Sequence, residues 1–294
     1  MTRKSEKTEI PYEIRGIFEA AGIPEPGKYV RLFAGKSFVV KCGGSLIESG
    51  EVGEMLLDDI AAMFRLGIRP VLVHGGSVQA DREIEEAGIP SRRVRGLRVT
   101  CDRTLEIVSR CFGQLNGRVV KRLRGRGVEA VGFGAGEVIR AERLVMEGED
   151  IGNVGMVAGV EDGPLKSAME KGVPVIASLG TGPDGGLLNI NADYVATRLA
   201  VHISAEKLVL LTDVDGVMTD PSDDSTLIST LTVSEARRLI DSGVIASGMI
   251  PKVESAVEVV EGGLPKVHMI NGRTSHSLLV EVFTDRGCGT QIVP

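Results

Sequence analysis

Short apolar runs rich in β-branched residues alternate with longer amphipathic stretches along most of this 294-residue chain. The apolar runs have the length of buried strands and lie at 37–41, 69–74, 174–178, 207–212 and 266–270. The amphipathic stretches repeat apolar residues at helical spacing and lie at 54–66, 78–87, 101–124, 192–201, 251–261 and 275–283. Such alternation predicts an α/β fold, a three-layer αβα sandwich around a mostly parallel central sheet.

Two central segments, 128–146 and 153–162, instead alternate apolar and polar residues over short distances that glycines interrupt. This pattern is typical of β-hairpins, which we expect to protrude from the main sheet. The glycines at 132–136 (GFGAG) lack the GxGxxG spacing of a dinucleotide-binding turn, so no dinucleotide site is predicted.

Residues 1–36 precede the regular alternation and are interpreted as an N-terminal extension. Ile14, Ile17 and Phe18 predict a short helix, which is followed by a stretch rich in glycine and proline at 22–27. Either a surface arm or a contact between subunits fits this pattern. Residues 37–294 form the rest of the predicted domain organisation, a single two-lobed unit.

Composition excludes several classes of partner. The formal net charge of −6 gives no reason to propose nucleic acid. No run of about 18 uncharged apolar residues predicts a membrane span, and residues 1–16 lack the apolar core of a signal peptide. The four cysteines are widely spread without a CxxC pair, which favours reduced thiols in a cytoplasmic protein over disulfides or a zinc site.

Pairs of glycines follow two successive predicted strands, in KCGGS (41–45) and HGGS (74–77). Ligands of open α/β sheets bind beyond the carboxyl ends of strands, and glycine lets backbone N–H groups approach a phosphate. Neither turn has the GxxxxGKS/T pattern of a P-loop. Lys41 ends an apolar strand, where burying an unpaired ammonium is costly. The turns therefore predict an anion site, with a solvated turn lysine as the alternative.

Polar residues mark three further segments that could bind a ligand. Arg98 could bind a carboxylate through two N–H donors. Asn189, Asn191 and Asp193 alternate with apolar residues before a helix, so they could bind a substrate, or Asn191 could only cap that helix. Thr212 and Asp213 end another strand and could contact a nucleotide.

Taken together and in this order, VVKCGGS, VLVHGGS, RGLRVT, LLNINAD, LLTDVDGV, SGMIPKV and HSLLVEVFTDRGCGT resemble the amino-acid kinase family. The resemblance covers 37–294 and implies the amino-acid kinase fold, with an acyl-amino-acid lobe at 37–190 and a nucleotide lobe at 191–294. It implies ATP- and Mg²⁺-dependent phosphorylation of a side-chain carboxylate, with N-acetyl-L-glutamate, a precursor of arginine, as the expected acceptor.

The resemblance also implies roles for individual residues. Lys41 and Lys252 would stabilise the transferred phosphoryl group while Asp193 holds both lysines, and no protein group would bind the metal. The other implied contacts are Gly43, Gly44 and Gly75 with the phosphoryl group, Gly76, Arg98, Asn189 and Asn191 with the acid, and Thr212, Asp213, Gly216 and Met249 with the nucleotide.

This chain departs from the family pattern at two places, Ser77 after HGG and the segment 132–137. These departures leave open a kinase of another, carrier-linked aminoadipate or glutamate. A catalytically silent, arginine-sensing relative is a third alternative. The resemblance further implies a homodimer or homohexamer, and an arginine effector site at His268, Glu281 and Gly287.

Overall fold

The computed structural model describes residues 10–76, 78–220, 222–245 and 249–294, within which eight strands form the central sheet. These strands are β1 (Ser37–Gly43), β2 (Arg69–Gly75), β5 (Ala130–Phe133), β8 (Val173–Ala177), β11 (Lys207–Thr212), β12 (Thr230–Thr232), β13 (Val267–Asn271) and β14 (Thr290–Val293). Their spatial order is β12-β14-β13-β11-β1-β2-β8-β5, and every neighbouring pair is parallel except β13 and β14. The predicted mostly parallel sheet is confirmed.

Helices cover both faces of this sheet. One face carries α1 (Tyr12–Ala20), α2 (Gly27–Phe33), α3 (Gly44–Ile47), α4 (Glu51–Arg65), α6 (Asp102–Gly125) and α11 (Ser277–Phe283), and α5 (Val78–Glu86) packs on α6. The other carries α7 (Asp162–Lys171), α8 (Ala192–His202), α9 (Val233–Asp241) and α10 (Ile250–Glu261). Successive residues of a strand point to opposite faces, so Val39 joins one buried core and Val40 the other. The three-layer sandwich is therefore confirmed.

A smaller sheet adjoins the main one, with the order β10-β9-β6-β7. It comprises β6 (Ile139–Arg143), β7 (Gly155–Val160), β9 (Leu179–Thr181) and β10 (Leu187–Asn189), while β3 (Arg93–Val94) and β4 (Leu97–Arg98) form a separate hairpin. The antiparallel pair β6–β7 is one of the predicted protruding hairpins.

The first part of the central segment differs from the prediction. β5 is the edge strand of the main sheet, where it pairs in parallel with β8, and is not part of a hairpin. The physical reason is that residues 130–133 carry no polar side chain, and both Ala130 and Phe133 are buried. Alternating exposed residues, Arg140 and Glu142, begin only in β6.

The described part of the N-terminal extension is folded onto the main domain. Ile14 and Phe18 of α1 are buried, and the Phe18 ring packs edge-on against Phe283 with 5.0 Å between centroids. In α2, Phe33 packs in the same way against Phe38 of β1. A surface arm is therefore excluded for residues 10–36. The predicted helix at Ile14 is confirmed, whereas α2 and α7 were not predicted.

Two local features complete the fold. Thr232 and Glu235 form a capping box at the start of α9, because the side chain of each accepts a hydrogen bond from the backbone N–H of the other. Within the described ranges, no helix combines the length and the apolar character needed to cross a membrane.

Candidate active site

The two glycine turns lie side by side at the carboxyl edge of the main sheet. Gly43 and Gly75 are paired in register at the ends of β1 and β2. A Cβ on Gly44 would lie 1.7 Å from the Gly76 carbonyl oxygen, and one on Gly75 would lie 2.6 Å from the Ala192 Cβ. Only glycine allows this approach of two backbones. Ser77, the departure in the second turn, lies outside the described residues.

Lys41 extends from β1 toward the start of α8. Its Nζ lies 2.8 Å from Asp193 Oδ1, and 15% and 20% of the two side chains are exposed. Asn191 caps α8, since its Oδ1 accepts the N–H groups of Asp193 at 2.7 Å and Tyr194 at 3.4 Å. The cap holds the helix start, and with it Asp193, opposite Lys41. A charged pair with this exposure retains a strong attraction while remaining open to a ligand.

A cavity of about 290 Å³ opens beside these groups, near the lower end of the range for small-molecule sites. It is lined by predicted residues from both turns and from the two asparagines: Lys41, Gly43, Gly44, Gly75, Gly76, Arg98, Asn189 and Asn191. Its lining also includes residues that the sequence did not single out, among them Asp81, Ser178 and Phe112. Asp81 and Phe112 lie on helices whose amphipathic pattern marks them only as surface or core, and Ser178 lies between β8 and β9.

Arg98 already has a carboxylate partner in this cavity. Its Nη2 donates to Oδ1 of Asp81 in the first turn of α5. Only 12% of the Arg98 side chain is exposed, compared with 57% for Asp81. Guanidinium groups bind carboxylates through paired N–H donors. The Arg98 guanidinium is therefore paired with a carboxylate of the protein itself.

The predicted nucleotide residues lie one strand away, because β11 is the neighbour of β1. Thr212 donates its hydroxyl to the Val214 carbonyl oxygen at 2.6 Å, which closes the turn after β11. Asp213 accepts from Arg273 Nε at 3.0 Å and remains 71% exposed. A Cβ on Gly216 would lie 2.5 Å from Thr290 Oγ1, so this turn also requires glycine.

Met249 and Lys252 lie at the start of α10. Helices α8 and α10 pack together and lead into the parallel strands β11 and β13, so both begin at the carboxyl edge of the sheet. Lys252 therefore belongs to the same edge as Lys41 and Asp193. In the described part of the chain, however, Asp193 is paired with Lys41 alone and Lys252 forms no ion pair.

Two buried side chains next to the turns are unsuited to proton transfer. Burial lowers the pKa of His74 to about 4, so the imidazole stays neutral at pH 7. Its Nε2 lies 3.1 Å from Asn116 Nδ2, which also donates to the Val175 carbonyl oxygen. Burial raises the pKa of Cys42 to about 12, which leaves an unreactive thiol.

A second cavity, about 360 Å³, lies between α2, β13 and the C-terminal segment and contains His268, Glu281 and Gly287. His268 Nδ1 lies 2.5 Å from Glu281 Oε1, and only 3% and 6% of the side chains are exposed. Burial lowers the pKa of His268, whereas for Glu281 the effect of burial is outweighed by hydrogen bonds from His268 and the Cys288 N–H, so its pKa is also lowered. A neutral histidine thus donates to an ionised carboxylate.

No cluster of three or more His, Cys, Asp or Glu side chains that could hold a metal ion is found among the described residues. All four cysteines are free thiols.

Comparisons with known proteins fit this geometry. A sequence model of the amino acid kinase family matches residues 36–271. Two proteins named acetylglutamate kinase are each 42% identical to this chain. The match to the one from Moorella thermoacetica covers 90% of this chain and 94% of that protein. The match to the one from Symbiobacterium thermophilum covers 94% of this chain and 97% of that protein.

Solved structures share the fold. An N-acetylglutamate synthase from Neisseria gonorrhoeae superposes with a TM-score of 0.83 and 32% identity, over 92% of this chain. This chain spans 62% of the synthase chain. A carbamate kinase from Giardia lamblia, with a TM-score of 0.62 and 17% identity, shares the fold alone. The family model matches most of the chain, and both glycine turns and the Lys41–Asp193 pair lie at the carboxyl edge of the sheet. The chain therefore belongs to the amino acid kinase family.

Proposed function

We propose that this chain transfers the γ-phosphoryl group of ATP to the side-chain carboxylate of N-acetyl-L-glutamate, forming an acyl phosphate in arginine biosynthesis. The observation that carries the proposal is the Lys41–Asp193 ion pair, which lies beside two facing glycine turns in a cavity that also holds Arg98. The names of the relatives that are about 40% identical over nearly the whole chain support this acceptor.

The acid is proposed to bind in the 290 Å³ cavity. Arg98 would take a carboxylate, replacing or sharing Asp81, and Asn189, Asn191 and Gly76 would contact the remaining polar groups. Apolar lining from Val108 and Phe112 suits the aliphatic part of such a ligand.

The reaction needs no general base. A side-chain carboxylate with a reference pKa of about 4.3 is already an anion at pH 7 and can attack phosphorus directly. The difficulty is to bring two anions together, and phosphoryl transfer depends on positioning and charge stabilisation. Lys41 and Lys252 would supply positive charge to the transferred group, with Asp193 orienting Lys41, while backbone N–H groups at Gly43, Gly44 and Gly75 donate to its oxygens.

The nucleotide is proposed to lie at the ends of β11 and α10, against Thr212, Asp213, Gly216 and Met249. This assigns 37–190 to the acid and 191–294 to ATP. The Gly76 carbonyl oxygen stands where a Cβ of Gly44 would lie, so glycine at position 44 lets the two turns approach each other beside the proposed phosphate position. Mg²⁺ bound to the ATP phosphates would neutralise part of their charge, and we propose no protein ligand for it.

Hydroxylamine trapping of the acyl phosphate tests the acceptor. The wild type would be assayed with ATP on N-acetylglutamate, glutamate, aspartate, aminoadipate and carbamate. Turnover confined to N-acetylglutamate is expected. Turnover with another acid alone would favour a related carboxylate kinase, for which a carrier-linked substrate is the next candidate.

A Lys252→Ala variant separates a working kinase from a catalytically silent relative. Turnover should fall while ATP binding, followed by calorimetry, is largely retained, because the lysine is assigned to the transferred group. The exposed Lys171→Ala is the control. A wild type that phosphorylates no acid, with no difference between the variants, would support the silent alternative.

We also propose that arginine binds as an effector in the 360 Å³ cavity of His268, Glu281 and Gly287. The buried, ionised Glu281 offers a partner for a guanidinium, and the exposed cations Lys28, Lys266 and Arg286 on the rim offer partners for a carboxylate. The related Neisseria gonorrhoeae synthase has been crystallised with L-arginine, with a TM-score of 0.77 and 30% identity. An activity that stays flat during titration with arginine to millimolar levels would refute the proposal.

A cytoplasmic homodimer or homohexamer is the proposed setting. Four free thiols suit a reducing compartment. Light scattering on the purified full-length protein would measure the subunit number.

A further inference from the structure

We propose that Thr100 is a positioning residue that sets the orientation of the Asn189 amide and of the β3–β4 hairpin that carries Arg98, and that the turn at 151–153 holds Thr100 in place. The inference rests on the proposed function, because Arg98 and Asn189 are there assigned to the acid. It names the chemical group of the substrate that Asn189 reads, an amide N–H. Thr100 itself does not line the cavity and is fully buried.

The Thr100 hydroxyl makes two hydrogen bonds that together leave one arrangement of protons. Its Oγ1 lies 2.8 Å from the Arg98 carbonyl oxygen and 3.1 Å from Asn189 Nδ2. A carbonyl oxygen can only accept, so the single hydroxyl proton must point to Arg98. The hydroxyl can then only accept from Asn189, which places the NH₂ end of that amide at Thr100.

The Asn189 backbone is fixed independently of its side chain. Its N–H donates to the Asn153 carbonyl oxygen at 2.9 Å, and the residue pairs with Leu179 at the end of β10. With the backbone held and Nδ2 turned to Thr100, Oδ1 is directed away from Thr100. Asn189 therefore offers the cavity an acceptor, which requires a ligand donor.

The turn at 151–153 clamps Thr100 from the other side. The Thr100 N–H donates to the Ile151 carbonyl oxygen at 3.0 Å, and the Asn153 N–H donates to the Thr100 carbonyl oxygen at 2.7 Å. Gly152 has a left-handed φ of +69°, and a Cβ there would lie 2.3 Å from the Thr100 oxygen. Such an approach is open to glycine alone.

The Asn153 side chain ties this turn to its surroundings. Its Nδ2 donates to Asp102 Oδ1 at 2.8 Å in the first turn of α6, and its Oδ1 accepts from Arg143 Nη2 at 2.9 Å in β6. Only 9% of Asn153 is exposed. A buried polar network therefore joins the smaller sheet to the β3–β4 hairpin that carries Arg98. In this network both side-chain amide groups of Asn153 have a partner.

This network predicts which acids the cavity accepts. An acylated amine offers an N–H to Asn189 Oδ1, whereas the ester analogue, 2-acetoxyglutarate, offers an oxygen in the same place. Two facing acceptors leave a polar group without a partner, and sites built to pair a donor reject the analogue that lacks it. N-acetylglutamate should therefore be preferred over the ester analogue.

The test compares Thr100→Val with Thr100→Ser, using KM for both acids and for ATP. Valine keeps the shape but removes the hydroxyl, so the amide can rotate and accommodate either acid. For Thr100→Val we expect KM for N-acetylglutamate to rise about tenfold, the effect of losing about one hydrogen bond, with KM for ATP unchanged. The preference over the ester analogue should shrink toward unity, and Thr100→Ser should restore it.

Thr104→Val is the matched control, because Thr104 is also buried, lies in the first turn of α6 and, among the described residues, has a hydroxyl that bonds only Cys101. A Thr100→Val enzyme with the wild-type preference between the two acids would overturn the proposal, as would equal rises in both KM values. A wild type that does not phosphorylate N-acetylglutamate refutes the proposed function instead. In that case the effect of Thr100→Val on KM for the acid is compared with its effect on KM for ATP, using the acid that does react. If no acid reacts, both proposals fail.

Discussion

The two cavities differ in how far their charged pairs are removed from water. The Lys41–Asp193 side chains are 15% and 20% exposed, whereas those of His268 and Glu281 are 3% and 6% exposed. In the second cavity both carboxylate oxygens of Glu281 have donors, because the Cys288 N–H bonds the second one. Breaking a pair buried in this way is costly, so it can exchange partners less readily than the first. The open pair suits turnover, and the enclosed pair suits binding.

The buried histidines next to the two cavities also differ in their partners. His268 faces the carboxylate of Glu281, but His74 faces only the amide of Asn116. Burial lowers the pKa of both imidazoles, and only for His268 does a neighbouring carboxylate oppose that effect. His74 directly precedes the glycine turn that lines the first cavity, and its imidazole stays neutral at pH 7.

The largest effect is expected from Lys41→Met. Removing the ammonium beside the transferred group should lower kcat by about a thousandfold, the upper range for a single stabilising donor. Lys207→Met is the matched change at the second cavity, where Lys207 is buried over the Phe33 ring. Steady-state kinetics without arginine should show little change in kcat for this control. Equal losses in the two variants would remove the functional distinction between the cavities.

Acid should destabilise the protein through His74. Its folded pKa of about 4 lies below the reference value of 6.5, so between these values the unfolded chain binds the proton and the folded chain does not. Stability is therefore lost as pH falls from about 6.5 to 4, by up to about 3 kcal/mol from this group. The free energy of unfolding, measured by urea denaturation across this pH window, should change less steeply with pH for His74→Gln than for wild type. The same loss of stability toward acid in His74→Gln as in wild type would contradict this assignment.

Gly44→Ala tests the contact between the glycine turns. The added Cβ would lie 1.7 Å from the Gly76 carbonyl oxygen, so the turns must separate. A displacement of about 1 Å in a phosphoryl-transfer site should cost about a hundredfold in kcat/KM. Gly117→Ala is the control, because it lies inside α6 with nothing within 4 Å of the added atom. This control should be active and slightly more stable, by up to about 1 kcal/mol. An unaffected Gly44→Ala enzyme would show that the turns do not hold the phosphoryl group.

The smallest effect is expected from Asp81→Asn. If the acid binds Arg98 as proposed, Asp81 competes with it for the guanidinium. An ion pair with a partner this exposed contributes up to about 1 kcal/mol, so KM for the acid should fall about two- to fivefold. Glu83→Gln on the same helix is the control, since Glu83 pairs with Arg110 instead. A rise in KM for Asp81→Asn would mean that the carboxylate orients Arg98 and does not compete.

Much of the fold could be predicted because periodicity belongs to each segment. The strands around Lys41, the long helix α6 and the capping box at Thr232 all follow from local patterns. The placement of β5 could not, since an apolar tetrapeptide fits an edge strand as well as a hairpin. Within the site, the predicted residues around Gly44 and Asn189 do meet in one cavity, while their catalytic roles stay predictions.

By itself, the sequence determined the alternation of strands and helices, and the glycines that let two backbones meet at strand ends. It also carried the motifs that place the chain in its family. The tertiary structure decided which distant side chains become partners: Asp193 for Lys41, Asp81 for Arg98 and Thr100 for Asn189. The physical reason is that these contacts depend on strand order and on which helix begins at the shared carboxyl edge. Neither is written in the spacing of any one segment.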